Sequence, residues 1–204
     1  MDPRSRVAKE AARLLYTGAS EEYKHAKERA ARSLGVNAMP SNHEVAIELD
    51  HLAEHLEGEG RKQLLIRMRN AALTIMRVLS DYGPVLVGSV WRGTARKGSD
   101  IDITVYAAQP EDVISTLVSR GYSVEKSEEE IAIEGGRPKR SLHITVRLDE
   151  DIQVEVVVRS PEERGEVERC EVYGDMKQGL SLTQLEKLMK RDPLRKFVPR
   201  RRYK

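Results

Sequence analysis

The chain has 204 residues, 39% of them hydrophobic and 33% charged, with a formal net charge of +2. That size suits one domain, or one domain with a helical attachment, and the apolar share is enough to bury a core. The single cysteine, Cys170, excludes an intramolecular disulfide framework and agrees with a reducing compartment. No run approaches the roughly 18 apolar residues of a membrane span, and the opening MDPRSRVAKE has no signal-peptide core, so the reading is a cytoplasmic protein with no membrane partner. Many charges with only three asparagines resemble the surface of heat-tolerant proteins. The cations are unevenly placed, and the last ten residues, RKFVPRRRYK, hold six of them.

The first 82 residues read as helices. Arg4 to Tyr16 and Ser20 to Leu34 are two of them, separated by Thr17-Gly18. Ser41-Asn-His-Glu44 fits a capping box. Val45, Leu49, Leu52 and Leu56 then recur at helical spacing until Gly58 ends the pattern. A longer helix follows, with Leu64, Leu65, Met68, Ala71, Ala72, Ile75, Met76 and Leu79 on one face, and Gly83-Pro84 stops it.

From Pro84 the period changes to two. Strands are expected at Val85–Val87, Ile101–Tyr106, Tyr122–Lys126, Ile131–Glu134, Ser141–Leu148 and Ile152–Arg159, with Gly135-Gly136 as a hairpin signal and a helix over Glu111–Arg120. Ser181-Leu-Thr-Gln184 caps a last helix through Lys190, and Asp192-Pro193 closes it. The order predicts an α+β fold, a sheet with helices on one face. Three regions are expected: residues 1–82 helical, 83–160 the sheet domain, and 161–204 a helix with a basic tail.

The most informative run is VGSVWRGTARKGSDIDITV, Val87 to Val105. In a strand, residues i and i+2 share a side, so Asp100 and Asp102 project together while Ile101, Ile103 and Val105 face the core. Two like charges that close repel, and each raises the other's proton affinity unless cations sit between them. Carboxylates are hard oxygen ligands suited to Mg²⁺, which takes one or two of them plus phosphate oxygens. Ahead of them, Gly88-Ser89 ends a strand and opens a short helix. Glycine permits close approach there, the helix-start amides attract anions, and Arg92, Arg96 and Lys97 add charge. A phosphate cradle beside a divalent-metal site is an arrangement for a nucleoside triphosphate.

Gly88-Ser89, ten residues, then Asp100-Ile-Asp102-Ile resembles the signature of the polymerase-beta-type nucleotidyltransferase superfamily, and GSVWRGTARKGSDID is similar to its archaeal branch that includes CCA-adding enzymes. The resemblance is tight over about 20 residues and loose over Pro84 to Arg159. It implies a mixed, palm-like sheet and a third acid on a later strand. Glu155, between Val154 and Val156, fits, and Asp151 is the alternative. It also implies two-metal transfer of a nucleoside monophosphate from a triphosphate, ATP or CTP, to an acceptor hydroxyl, with release of pyrophosphate. Asp100, Asp102 and Glu155 would hold two Mg²⁺, with Mn²⁺ as the substitute. Gly88 and Ser89 would bind the phosphates, assisted by Arg92 and Ser99. The acceptor is an RNA 3′ end, a small molecule or a protein side chain.

Blander readings stand beside these. The second function class is a non-catalytic nucleotide-binding or partner-binding module that keeps the fold. Trp91 reads as packing behind its loop. His51-Leu-Ala-Glu54-His55 matches an inverted zinc-peptidase pattern, yet the helical wheel places all three polar residues on a solvated side. The basic tail reads either as a solvated end or as a contact to nucleic-acid phosphates, with Phe197 and Tyr203 available to stack on bases.

Overall fold

A computed structural model of the chain describes residues 2–134, 137–149 and 151–199, without the side chains of 132–138. The described residues form two compact units. The expected hairpin glycines Gly135-Gly136 and the end of the basic tail, Arg200–Lys204 with Tyr203, lie outside them.

The first unit holds the chain as far as Arg61 together with Glu168–Lys177. Its helices are α1 (Pro3–Tyr16), α2 (Tyr23–Leu34) and the opening of α3 (Asn42–Val78). Asp2 caps α1 by accepting from the Ser5 amide, and Pro3 occupies a position whose missing N–H has no helical acceptor to serve. Ala8, Ala11 and Ala12 of α1 and Ala26, Ala30 and Ala31 of α2 are buried with Val7, Leu14 and Leu15, side chains small enough to bring the two backbones close. α2 starts three residues later than expected, because the Ser20 amide donates to Leu14 O at 3.2 Å and ties that stretch to the end of α1. The Ser41 capping box forms as expected: Ser41 Oγ accepts from the Glu44 amide at 3.2 Å, and Glu44 Oε2 accepts from the Ser41 amide at 2.7 Å. Gly58, at φ 53 and ψ −130, interrupts α3 where the apolar pattern ends. Arg61, only 4% exposed, is paired with Asp50 at 2.6 Å and Glu54 at 3.1 Å.

The second unit comprises Lys62–Val167 and Gln178–Phe197. It contains β1 (Val85–Val87), α4 (Gly88–Arg92), β2 (Ile101–Tyr106), α5 (Pro110–Ser119), β3 (Val124–Glu134), β4 (Arg137–Arg147), β5 (Gln153–Arg159), β6 (Leu180–Ser181) and α6 (Leu182–Arg191). The strands form one mixed sheet in the order β3-β4-β5-β2-β1-β6. Among the described residues only β2 and β5 run parallel; the other neighbours are antiparallel.

One face of this sheet makes the core. Ile101, Ile103 and Val105 of β2 are fully buried, as are Val154 and Val156 of β5, Ile144 and Val146 of β4, and Leu86 of β1. They pack against Leu65, Met68 and Ile75 of α3, Leu79 just after it, Val113 and Leu117 of α5, and Leu185 of α6. Each such side chain contributes roughly 1.5–3 kcal/mol by leaving water, so the register of β2 is strongly fixed. A one-residue slip would put isoleucines in solvent and carboxylates in the core. The polar alternates of β2 and β5, including Asp102 and Glu155, therefore take the opposite face.

Two strand expectations are corrected. The expected strands Tyr122–Lys126 and Ile131–Glu134 are one 11-residue strand, β3, which begins at Val124 and leaves out Tyr122 and Ser123, and the polar stretch Ser127–Glu130 joins them by keeping its backbone ladder to β4. β6, unforeseen, adds two residues to the edge beside β1.

Candidate active site

β1 runs directly into α4 through Gly88, whose φ of 68 lies in the left-handed region. β1 and β2 are antiparallel with Val87 opposite Asp102, which brings that carboxylate back over the start of α4. A Cβ on Gly88 would overlap Asp102 Oδ2. The glycine is therefore required twice, for its backbone angle and for the space the carboxylate fills. Ser89 follows in the first turn of α4, half-buried, and its carbonyl accepts from the Thr94 amide at 3.0 Å.

Across the sheet Asp102 is in register with Glu155 on β5, and neighbouring strands lie about 4.8 Å apart. Burial first, then Glu155 and Asp100, push the Asp102 carboxyl up to about 7. Asp100, at the rim before β2, is also raised, by burial and by Glu155, with Arg147 opposing. These acids thus feel one another, and together they make a negative field that Arg147 offsets in part at Asp100. Asp151 lies in the turn before β5, exposed, its amide donating to Asp149 Oδ1 at 2.9 Å.

The donor chemistry fits hard divalent cations, since all three groups are carboxylates and Asp102 is half-buried beside like charges. The side chains are not closed around a single point: among the described residues no three His, Cys, Asp or Glu groups are arranged to hold a metal ion. Glu155 Oε1 is 2.8 Å from His143 Nδ1. His143 Nε2 in turn meets Ser141 Oγ at 3.0 Å.

His143 is the site residue that sequence reasoning missed. It lies on β4 beside β5 and alternates with Ser141 and Thr145 along the polar side of a strand whose Ile144 and Val146 are buried. That alternation is legible in Ser141–Val146, and a histidine in it was the available signal.

Both expected phosphate helpers make contacts within the protein. Arg92 is 4% exposed, with its guanidinium 4.4 Å from the Trp91 ring and donating to Phe197 O at 2.9 Å, so it is held in protein contacts behind α4. Ser99 Oγ accepts from the Arg96 amide at 3.1 Å and shapes the turn before β2. Trp91 is buried in the core, and Phe197, one of the two aromatics considered for base stacking, lies against it with ring centroids 6.4 Å apart. In the first unit, His51, Glu54 and His55 are exposed, and Glu54 is committed to Arg61.

Residues 70–173, half of the chain, match the family described as "Nucleotidyltransferase domain". The chain belongs to that family, within the polymerase-beta-type nucleotidyltransferases. It is also similar to Cid1 in complex with the UTP analogue UMPNPP, at 20% identity and TM-score 0.30 over 46% of this chain and 30% of that one. A cytoplasmic RNA terminal U-transferase is 18% identical with TM-score 0.33 over 57% of this chain and 34% of that one. Cid1 poly(U) polymerase with Mg 3′-dATP bound is 18% identical with TM-score 0.32 over 50% and 37%. The chain spans about a third of the length of these solved structures. No curated protein matches it.

Proposed function

We propose that the protein is a metal-dependent nucleotidyltransferase that moves a nucleoside monophosphate from a nucleoside triphosphate to an acceptor hydroxyl and releases pyrophosphate. The observation that carries this is the register of Asp102 with Glu155 at a strand end where Gly88 makes room for the Asp102 carboxylate. Asp100, Asp102 and Glu155 are the residues that would hold two Mg²⁺, or Mn²⁺ in their place, and the ions would supply charge neutralisation at the transferred phosphate. Gly88 and Ser89 present a hydroxyl and a close-approaching backbone to the β and γ phosphates. Ser99 holds the turn that delivers Asp100. Arg92 supports α4 from behind and is not assigned to the phosphates. Among the described residues no helix is long and apolar enough to cross a membrane. The proposed donor is ATP or CTP, and the proposed compartment, from the single cysteine, is the reducing cytoplasm.

Among acceptors, an RNA 3′ end is favoured by the cations at Arg195 and Lys196 and beyond. A small molecule or a protein side chain is the alternative acceptor. A second reading, a nucleotide-binding module without transfer, draws on the Glu155–His143 contact, which engages one oxygen of the third carboxylate.

Incubation with labelled ATP or CTP, Mg²⁺ or Mn²⁺, and bulk RNA or lysate separates the two. Label transferred to a macromolecule or small molecule supports the enzyme. Saturable binding with no label transferred under any of these conditions supports the module.

A further inference from the structure

The geometry points to Arg69 as the positioning residue of the Gly88–Ser89 turn, acting through α4 and together with the C-terminal segment Pro193–Phe197. This rests on the triphosphate reading of that turn. Arg69 is fully buried on α3, where an arginine is costly unless its donors are satisfied. Here the acceptors are backbone carbonyls at both ends of one cluster. Nε donates to Val90 O at 3.1 Å and Nη2 to Trp91 O at 3.0 Å. Nη1 donates to Pro193 O at 2.6 Å, and Nη2 also to Arg195 O at 3.0 Å. Burial lowers its pKa to about 10, with Asp192 opposing, so the guanidinium stays charged at neutral pH.

Both carbonyls lie in the last turn of a five-residue helix, where the internal ladder runs out: Val90 O has the Gly93 amide at 3.3 Å besides Arg69 Nε, and Trp91 O takes Arg69 Nη2. A helix that short does not persist alone, so its direction is set by what grips its far end. Arg69 grips it, and the positive charge sits at the negative end of the helix dipole. The segment 193–197 completes the seat. The Phe197 amide donates to Arg92 O at 2.8 Å, and the Phe197 ring covers Trp91. Gly93 closes the contact: a Cβ there would lie 2.8 Å from Arg195 O and 3.2 Å from Arg69 Nη2. The orientation of Ser89 thus depends on a residue twenty positions earlier and on a strap about a hundred positions later in the chain.

The test uses the full chain with Arg69→Lys, which keeps the charge and loses the fork, and with Phe197→Ala, which trims a half-buried ring and folds even if the first variant does not. Amide hydrogen exchange is read over residues 86–94 and over β2 and β5, and ATP affinity is titrated in Mg²⁺. We expect exchange over 86–94 to rise about tenfold while β2 and β5 keep their protection, and the Kd for ATP to rise about tenfold, ~1.4 kcal/mol. Unchanged exchange over 86–94 with unchanged ATP affinity in folded variants overturns the proposal, as does a uniform rise across the whole sheet, which would make Arg69 a general core residue. If the unsubstituted protein binds no triphosphate while the local exchange effect appears, the reading of the site fails and the seating role of Arg69 stands.

Discussion

Asp102 and Glu155 oppose each other on the two parallel strands of an otherwise antiparallel sheet, on the face away from the core. The parallel pairing brings together acids that are 53 positions apart in the sequence, and the buried isoleucines and valines between them fix the register. A carboxylate so placed, with burial and two like charges raising its proton affinity, is poised for cations. The consequences below follow from that.

Gly88→Ala is expected to remove activity. The φ of 68 costs a non-glycine residue about 1–2 kcal/mol, and the new methyl displaces the Asp102 carboxylate. Urea unfolding should report a loss of that size, while transfer falls below detection. A variant with normal transfer would show that Asp102 does not need its observed position.

Stability without divalent ions should fall as pH rises. Asp102 titrates near 7 in the folded protein against an ordinary 3.8, so between those values the folded state binds more protons than the unfolded chain. Stability is therefore greatest at the acid end of the window, falls through it, and levels off above about 7. Asp102→Asn should flatten the profile, and Mg²⁺ should restore stability above the window while releasing protons. Urea midpoints at both ends of the window, with and without chelator, check this.

Arg61→Met should destabilise the first unit by about 3 kcal/mol, because it strands Asp50 and removes a guanidinium that is almost wholly enclosed. Double substitution with Asp50→Asn should recover part of that loss in urea unfolding. No recovery would mean that the arginine acts through packing alone.

Much of this architecture is local and could be read in advance. The bounds of β2 follow from strict alternation, and the caps at Ser41 and Ser181 follow from residue types three apart. β3 was less legible because Glu128, Glu129 and Glu130 carry no apolar alternation, and an edge strand with solvated faces needs none. Long-range partners were illegible altogether. Nothing near Arg92 announces that Phe197 takes its donor, and nothing near Glu155 announces His143. Arg69 did leave a trace: it interrupts the apolar face between Leu65 and Ala72, where a charge needs a buried reason.

The most direct test is a Mn²⁺ titration of the full chain, followed by electron paramagnetic resonance, in the presence of a non-hydrolysable ATP analogue. The account predicts saturable Mn²⁺ binding that Asp102→Asn abolishes and that Asp100→Asn and Glu155→Gln each weaken, all three variants retaining the fold. Binding that is unaltered in Asp102→Asn and Glu155→Gln would contradict it.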